Sequence, residues 1–329
     1  MAHIERYTDG HSWVWANAFS MCHLGGPIIR KLVQLLPNVC VVQADGFVPE
    51  QNLTLALRDQ ADLNRLADQY DAVGVLCTRG VSHPKTILLP LDDESFIRGV
   101  WNVVSNHIEH IPWEEKKPLA YWRGCLSGGL APTLRTRVVW DLHDFEHADV
   151  KLTRNVNMDP SHQGRLIFPE DPRFYDDARS PQDHVQHKYI LIVDGNCIAS
   201  ALQWVFASGS VPVLVTHPDN DWWFKGLLVE GFHYVSVKYD LSNLRDVITY
   251  LVEHDDYARD VASHAMLFAQ TELSAESQRE YLLTQTARRA NGGDGACGGD
   301  DDGDHPLPLP PPPPRGPPPG GRRPSASSS

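Results

Sequence analysis

Through residues 1–290, short β-branched apolar runs alternate with longer stretches of helical periodicity. That pattern belongs to parallel sheets covered by helices, an α/β class. Val39–Ala44, Ala72–Cys77 and Thr86–Leu89 read as buried strands, with helical spacing over Pro27–Leu36 and Leu53–Tyr70. A second series begins at Leu119–Arg123 and continues through Leu166–Phe168, Lys188–Val193, Val211–Val215 and Tyr234–Val237. Among these, the spacing predicts helices over Thr133–Leu142, Ser200–Ala207, Leu241–Glu253 and Asp256–Thr271, and Ala148-Asp149-Val150 looks like strand entry. Two prolines and a run of charges mark Asn106–Pro118 as the link between the series. The expected organisation is a first α/β half over 1–112, a second over 113–290 and a tail over 291–329.

The tail is set apart by composition, since residues 291–329 hold 11 of the 25 prolines and 9 of the 24 glycines. Such a segment cannot bury enough apolar surface to fold, and its runs Pro310–Pro314 and Pro317–Pro319 favour polyproline II. An inert extension and a ligand for a proline-motif partner are its two readings. Across the whole chain Asp plus Glu is 42 and Lys plus Arg 29, a net charge of −13, which leaves no basic field for a phosphate backbone and excludes general nucleic-acid binding. No run approaches the ~20 apolar residues of a membrane span, and Met1-Ala2-His3-Ile4-Glu5-Arg6 is charged early, so a soluble, cytoplasmic chain is expected. Six cysteines without a C-x-x-C pair read as reduced thiols. His143-Asp144-Phe145-Glu146-His147 has the H-x-x-E-H spacing of a zinc site, but the predicted helix stops near Asp144 and no third ligand is indicated, so no metal is expected. Neither a P-loop nor a G-x-G-x-x-G motif after a strand is present.

Three stretches of the second half carry more specific chemistry. They are Pro112-Trp113-Glu114-Glu115-Lys116-Lys117-Pro118-Leu119-Ala120-Tyr121-Trp122-Arg123-Gly124; Lys188–Asn196 with Ala207-Ser208-Gly209-Ser210-Val211; and Trp223-Phe224-Lys225-Gly226-Leu227 with His233–Leu244. In order and interval they resemble the motifs of glycosyltransferase family 90, over roughly residues 85–285, and the Leu202-Gln203-Trp204 version resembles the compact members from large DNA viruses. The family includes protein O-glucosyltransferases, protein O-xylosyltransferases and capsule-associated proteins. The resemblance implies a GT-B-like fold of two Rossmann-like domains with an interdomain cleft. It also implies inverting, metal-independent transfer of glucose or xylose from a UDP-sugar to a glycan or protein hydroxyl.

Such a reaction needs a base for the acceptor, positive charge or N–H dipoles for the departing diphosphate, and a pocket for the nucleotide. Arg123 and Gly124, at the end of a buried strand, are expected at the donor, with Ser127 just beyond. Of Arg135 and Arg137 on the next helix, Arg137 is the favoured donor contact. Asp194-Gly195-Asn196 and Ser200 form a strand–turn–helix whose N–H groups could meet phosphate, although Ser200 serves equally as a helix cap. His217 and Trp223 lie on a loop, Thr216–Trp223, rich in aromatic and polar groups suited to sugar or nucleobase, and Lys225, His217 or Arg123 is expected to supply donor charge unless the donor site differs. The protein O-glucosyltransferases show S-x-R-x-K after the glycine loop, whereas this chain reads Ser200-Ala201-Leu202-Gln203-Trp204, one cation fewer. Asp45, ending a strand of the first half, is the expected general base, and Asp92 with Asp93 is the competing carboxylate pair. A catalytically inactive protein that binds nucleotide-sugar or carbohydrate is the alternative reading.

Overall fold

The computed structural model describes residues 111–127, 132–156, 171, 173–195, 198–199, 201–274 and part of 276–285, together with the strands of the first half. Both sheets belong to one compact unit, Met1–Ala296.

The first half contributes β1 (Ile4–Thr8), β2 (Trp13–Asn17), β3 (Cys40–Gln43), β4 (Thr54–Arg58), β5 (Ala72–Val75), β6 (Thr78–Arg79) and β7 (Thr86–Leu88). Six of them form a sheet in the order β1-β2-β3-β4-β5-β7, antiparallel only between β1 and β2. The runs at 39–44, 72–77 and 86–89 supply β3, β5 and β7. The helix expected over Leu53–Tyr70 is corrected at its start: Thr54–Arg58 is β4, paired in parallel with β3 and β5 on either side. Five residues are too few to separate the two periods, and a position between two strands satisfies the backbone groups from both edges. The hairpin β1–β2 was not anticipated, although Asp9-Gly10 in its connection is a turn signal. The expected helix over Pro27–Leu36, the expected strand Leu166–Phe168 and the tail lie outside the described residues.

The second half contributes β8 (Lys117–Leu126), α1 (Leu134–Leu142), β9 (Ala148–Val156), β10 (Tyr175–Asp176), α2 (Pro181–His184), β11 (His187–Val193), α3 (Leu202–Phe206), β12 (Val211–Val215), β13 (Asn220–Asp221), β14 (Val235–Ser236), α4 (Leu244–Glu253) and α5 (Asp255–Glu272). Its sheet is wholly parallel, in the order β10-β9-β8-β11-β12-β14. The first strand in sequence lies inside, the next two extend to one side and the last three to the other. This is the strand order of a Rossmann fold.

Helices cover both faces, so β12 and the Tyr189–Val193 stretch of β11 read as apolar runs, and every residue of both strands is buried. Side chains alternate between two cores: Tyr189, Leu191 and Val193 join Val138, Val139, Leu142, Leu244 and Ile248 from α1 and α4. Ile190 and Ile192 join Leu202, Val205 and Phe206 of α3 and Ala265, Phe268 and Ala269 of α5. Gly209 takes φ 65° where the chain turns from α3 into β12, a conformation that favours glycine.

Several residues of the sequence motifs are struts at the strand starts. Lys116, 4% exposed, donates from Nζ to the Val185 carbonyl at 2.5 Å, the Ser208 carbonyl at 3.3 Å and Ser210 Oγ at 3.1 Å. Burial pushes its pKa down to about 8. Asp255, opening α5, accepts from Trp113 Nε1 at 2.9 Å and from Lys188 Nζ at 2.6 Å. Tyr189 donates to the Leu251 carbonyl at 3.1 Å. These contacts tie the sheet to its helices at the end away from the strand carboxyl termini.

Candidate functional site

The strand order reverses between β8 and β11. From β8 the chain leaves toward α1 and β9, from β11 toward α3 and β12, and in sheets of this topology the ligand crevice lies at the carboxyl ends of those two strands. The residues at that point are Ser127, after β8, and Asp194-Gly195, after β11. Helix α1 is capped by Thr133, whose Oγ1 accepts from the Thr136 N–H at 3.2 Å, and its first turn carries Arg135 into the crevice.

Arg135 holds the two strand ends together. Its Nη1 donates to the Cys125 carbonyl at 2.8 Å, Nη2 to the Val193 carbonyl at 3.1 Å and Nε to the Asp194 carbonyl at 3.2 Å. The guanidinium lies 5.6 Å from the centre of the Trp122 ring. Burial lowers its pKa, opposed by Cys125 and by the charge of Asp194, and an arginine stays cationic in such a setting. Two glycines make the room. A Cβ on Gly195 would stand 2.5 Å from Ser127 Oγ and 2.9 Å from Arg135 Nη2, and a Cβ on Gly124 would stand 2.3 Å from the Trp122 ring. The glycines of the W-R-G and D-G motifs thus seat an indole under a guanidinium at the switch point.

Asp194, 4% exposed, organises the loop after β12. Its Oδ2 accepts from Thr216 Oγ1 at 2.7 Å, the His217 N–H at 2.9 Å and Asn220 Nδ2 at 2.6 Å. Lys225 closes the same loop from below, donating to the Pro218 carbonyl at 3.0 Å and to the Asn220 carbonyl, with Nζ 5.4 Å from the Trp222 ring centre. The His217 ring meets Tyr239 edge-on at 4.7 Å. Trp222 is buried, and Trp223 packs on Phe224 and Tyr281, each at 5.3 Å. Beyond the loop, β13 pairs antiparallel with β6, so the first half of the chain reaches the loop through a two-residue ladder.

The structure therefore brings Ser127, Asp194, Gly195, His217 and Lys225 to one neighbourhood and adds Arg135. It places the two favoured arginines elsewhere. Arg123 is 4% exposed on its side chain and bound within the sheet: Nε to Asp176 at 2.9 Å, Nη2 to Asp149 at 2.8 Å, Nη1 to the carbonyls of Trp122 and Asp149. Its guanidinium lies over Tyr121 at 4.6 Å, and it cross-links β8, β9 and β10. On a strand, successive side chains take opposite faces, so an arginine near a strand end has one chance in two of facing the crevice. Arg137 turns to the Asp240 carbonyl at 2.9 Å. Residues two apart on a helix lie on different faces, and sequence spacing alone did not say which of Arg135 and Arg137 enters. Asn196, Ser200, Asp45, Asp92 and Asp93 lie outside the described residues. The H-x-x-E-H run is not helical: α1 stops at Leu142, and His143 binds the Trp140 carbonyl at 2.7 Å.

The model of glycosyl transferase family 90 matches residues 97–289, more than half of the chain. Uncharacterized protein 179R of Invertebrate iridescent virus 6 is 26% identical over 237 residues, which cover 61% of this chain and 18% of that protein. O-glucosyltransferase LpsA of Dichelobacter nodosus is 24% identical over 157 residues, covering 48% of this chain and 44% of LpsA. Protein O-glucosyltransferase 1 of Homo sapiens is 25% identical over 167 residues, 50% of this chain and 40% of that one. The chain spans less than half the length of these curated relatives. Among solved structures, Anabaena Alr3699/HepE in complex with UDP-glucose superposes with a TM-score of 0.50 at 10% identity, covering 79% of this chain and 82% of that chain. The architecture is the GT-B fold, and the chain belongs to glycosyl transferase family 90.

Proposed function

We propose that this protein transfers glucose or xylose from a UDP-sugar to a hydroxyl of a glycan or protein, with inversion at the anomeric carbon and without a metal ion. The observation that carries this reading is Arg135, a fixed cation at the switch point of a Rossmann sheet, where nucleotides bind. A neighbour of the same fold was solved with UDP-glucose, which supports the choice of donor.

A carboxylate of the first half, Asp45 or the Asp92/Asp93 pair, takes the acceptor proton as the acceptor oxygen attacks the anomeric carbon. The bond to the UDP oxygen breaks on the opposite face, and negative charge builds on the diphosphate. Arg135 and backbone N–H groups around Gly195 and Ser127 meet that charge without reorganising, because the guanidinium is already held by three carbonyls. Asp194 and Lys225 act as positioning residues that keep the 216–222 loop in place beside the donor.

The test is UDP release and sugar transfer by the full chain from UDP-glucose and UDP-xylose in EDTA. Arg135→Lys keeps a charge but loses the three-point geometry and should lower turnover by roughly 10²–10³-fold. Asp45→Asn should abolish turnover and leave UDP binding intact. Unchanged transfer in the Arg135 variant overturns the scheme. A second reading, a nucleotide-sugar-binding protein without turnover, is favoured by one observation: Arg123 is committed to Asp149 and Asp176 and is not available to a donor. Tight UDP-sugar binding with no UDP release would select it.

A further inference from the structure

Helix α1 serves a second surface. Arg137, Trp140 and Asp141 stand at i, i+3 and i+4 and share one face. That face is one wall of a cleft of about 610 Å³, whose other wall is Asp240, Leu241 and Ser242.

Helix α1 packs on the core through other positions. Its buried face is Leu134, Val138, Val139 and Leu142, whereas Trp140 stays 59% exposed. The ring is nonetheless held, lying near-parallel to Phe174 at 5.8 Å and to His143 at 5.5 Å. The opposite wall is held too. Leu241 buries its side chain and adopts φ 68°, a left-handed conformation that leucine rarely takes. On either side of it the Asp240 carbonyl accepts from Arg137 Nη2, and Asp240 Oδ1 accepts the Ser242 N–H at 2.9 Å.

Charge narrows the class of ligand. Two carboxylates, Asp141 and Asp240, stand with Arg137 in the lining, and the neighbouring Arg245 lies 3.9 Å from the Asp141 carboxylate but pairs with Asp144 at 2.6 Å. A diphosphate would find no net positive field here. A neutral polyol fits, since its hydroxyls donate to carboxylates and accept from guanidinium and serine, while its C–H face covers an indole. We infer that this cleft is a saccharide-binding site taking a neutral pyranose ring of a glycan, separate from the crevice that holds Arg135.

The full chain is titrated calorimetrically with neutral oligosaccharides of glucose and of xylose, and separately with UDP. At least one saccharide should bind, with a Kd on the order of 0.1–1 mM. Trp140→Ala should weaken that binding about tenfold or more and leave the UDP affinity as it was. Ser242→Tyr, at an exposed position, should fill the cleft from the other wall with the same effect, and it decides the matter if Trp140→Ala unfolds the protein. Saturating UDP should not displace the sugar. No saccharide binding by the wild type, binding indifferent to both variants, or displacement by UDP overturns the proposal.

Discussion

Gly195→Ala tests the packing of the switch point directly. The added methyl would sit 2.5 Å from Ser127 Oγ and 2.9 Å from Arg135 Nη2, and real Cβ contacts are not that short. Ser127 can rotate, although it is 4% exposed; Arg135 cannot withdraw without loosening its bonds to three carbonyls. Overpacking of this kind costs about 1–3 kcal/mol. At about 2–4 °C per kcal/mol the melting temperature should fall by roughly 2–12 °C. Urea titration of Gly195→Ala, Ser127→Ala and the double variant gives the coupling between the two positions. If the hydroxyl is the obstacle, the double variant is more stable than the sum of the single effects by at least about 0.5 kcal/mol. Additive effects, or a Gly195→Ala protein as stable as the parent, would refute the geometry described for Ser127, Gly195 and Arg135.

Arg123→Met should cost about 1–3 kcal/mol, because it leaves Asp149 and Asp176 without their shared cation, while UDP affinity measured calorimetrically should not change. Asp194→Asn places an amide donor among groups that already donate, and limited proteolysis should cut the 216–222 loop sooner; an unchanged cleavage rate counts against its anchoring role. Burial, with Lys117 adding to it, lowers the His187 pKa to about 4 from the ordinary 6.5, and burial lowers His184 as well. Between those values the unfolded chain binds more protons, so stability is complete above about pH 6.5 and declines as pH falls toward 4, by about 3 kcal/mol for His187. Urea midpoints at pH 7.5 and 5 measure the loss, which His187→Gln should reduce.

The parallel core was readable because its strands are buried on both faces. Val211–Val215 was placed to the residue, and α1, α4 and α5 to within three residues at each end. Elements shaped by tertiary contacts were not. β10 is two residues long and exists through its pairing with Leu152 and Thr153, and β4 carries a short apolar pattern that fits helix and strand alike. At the site, Asp194 and Gly195 were legible as a strand end and its turn. Arg135 was visible as one of a pair, but its direction depends on the phase of α1 against β8. Arg123 looked equivalent because a one-dimensional reading cannot tell which face of β8 it occupies.

The same distinction explains why the motif residues of this chain are a poor map of its candidate site. Trp113, Lys116, Lys188 and Tyr189 lie at the strand starts and bind Asp255, Ser210 and the carbonyls of Val185 and Leu251. Their residue types are demanded by buried geometry: a lysine with its Nζ enclosed among three oxygens has no interchangeable substitute, since removing it would leave acceptors unpaired. Such positions are as tightly specified as a catalytic residue while being far along the strands from the crevice. Chemistry at the other end needs fewer fixed types, because an anion can be met by any well-placed cation or N–H group. In the proposed reaction Arg135 fills that place, so the positive charge comes from α1 while the sequence after β11 reads Ser200-Ala201-Leu202-Gln203-Trp204.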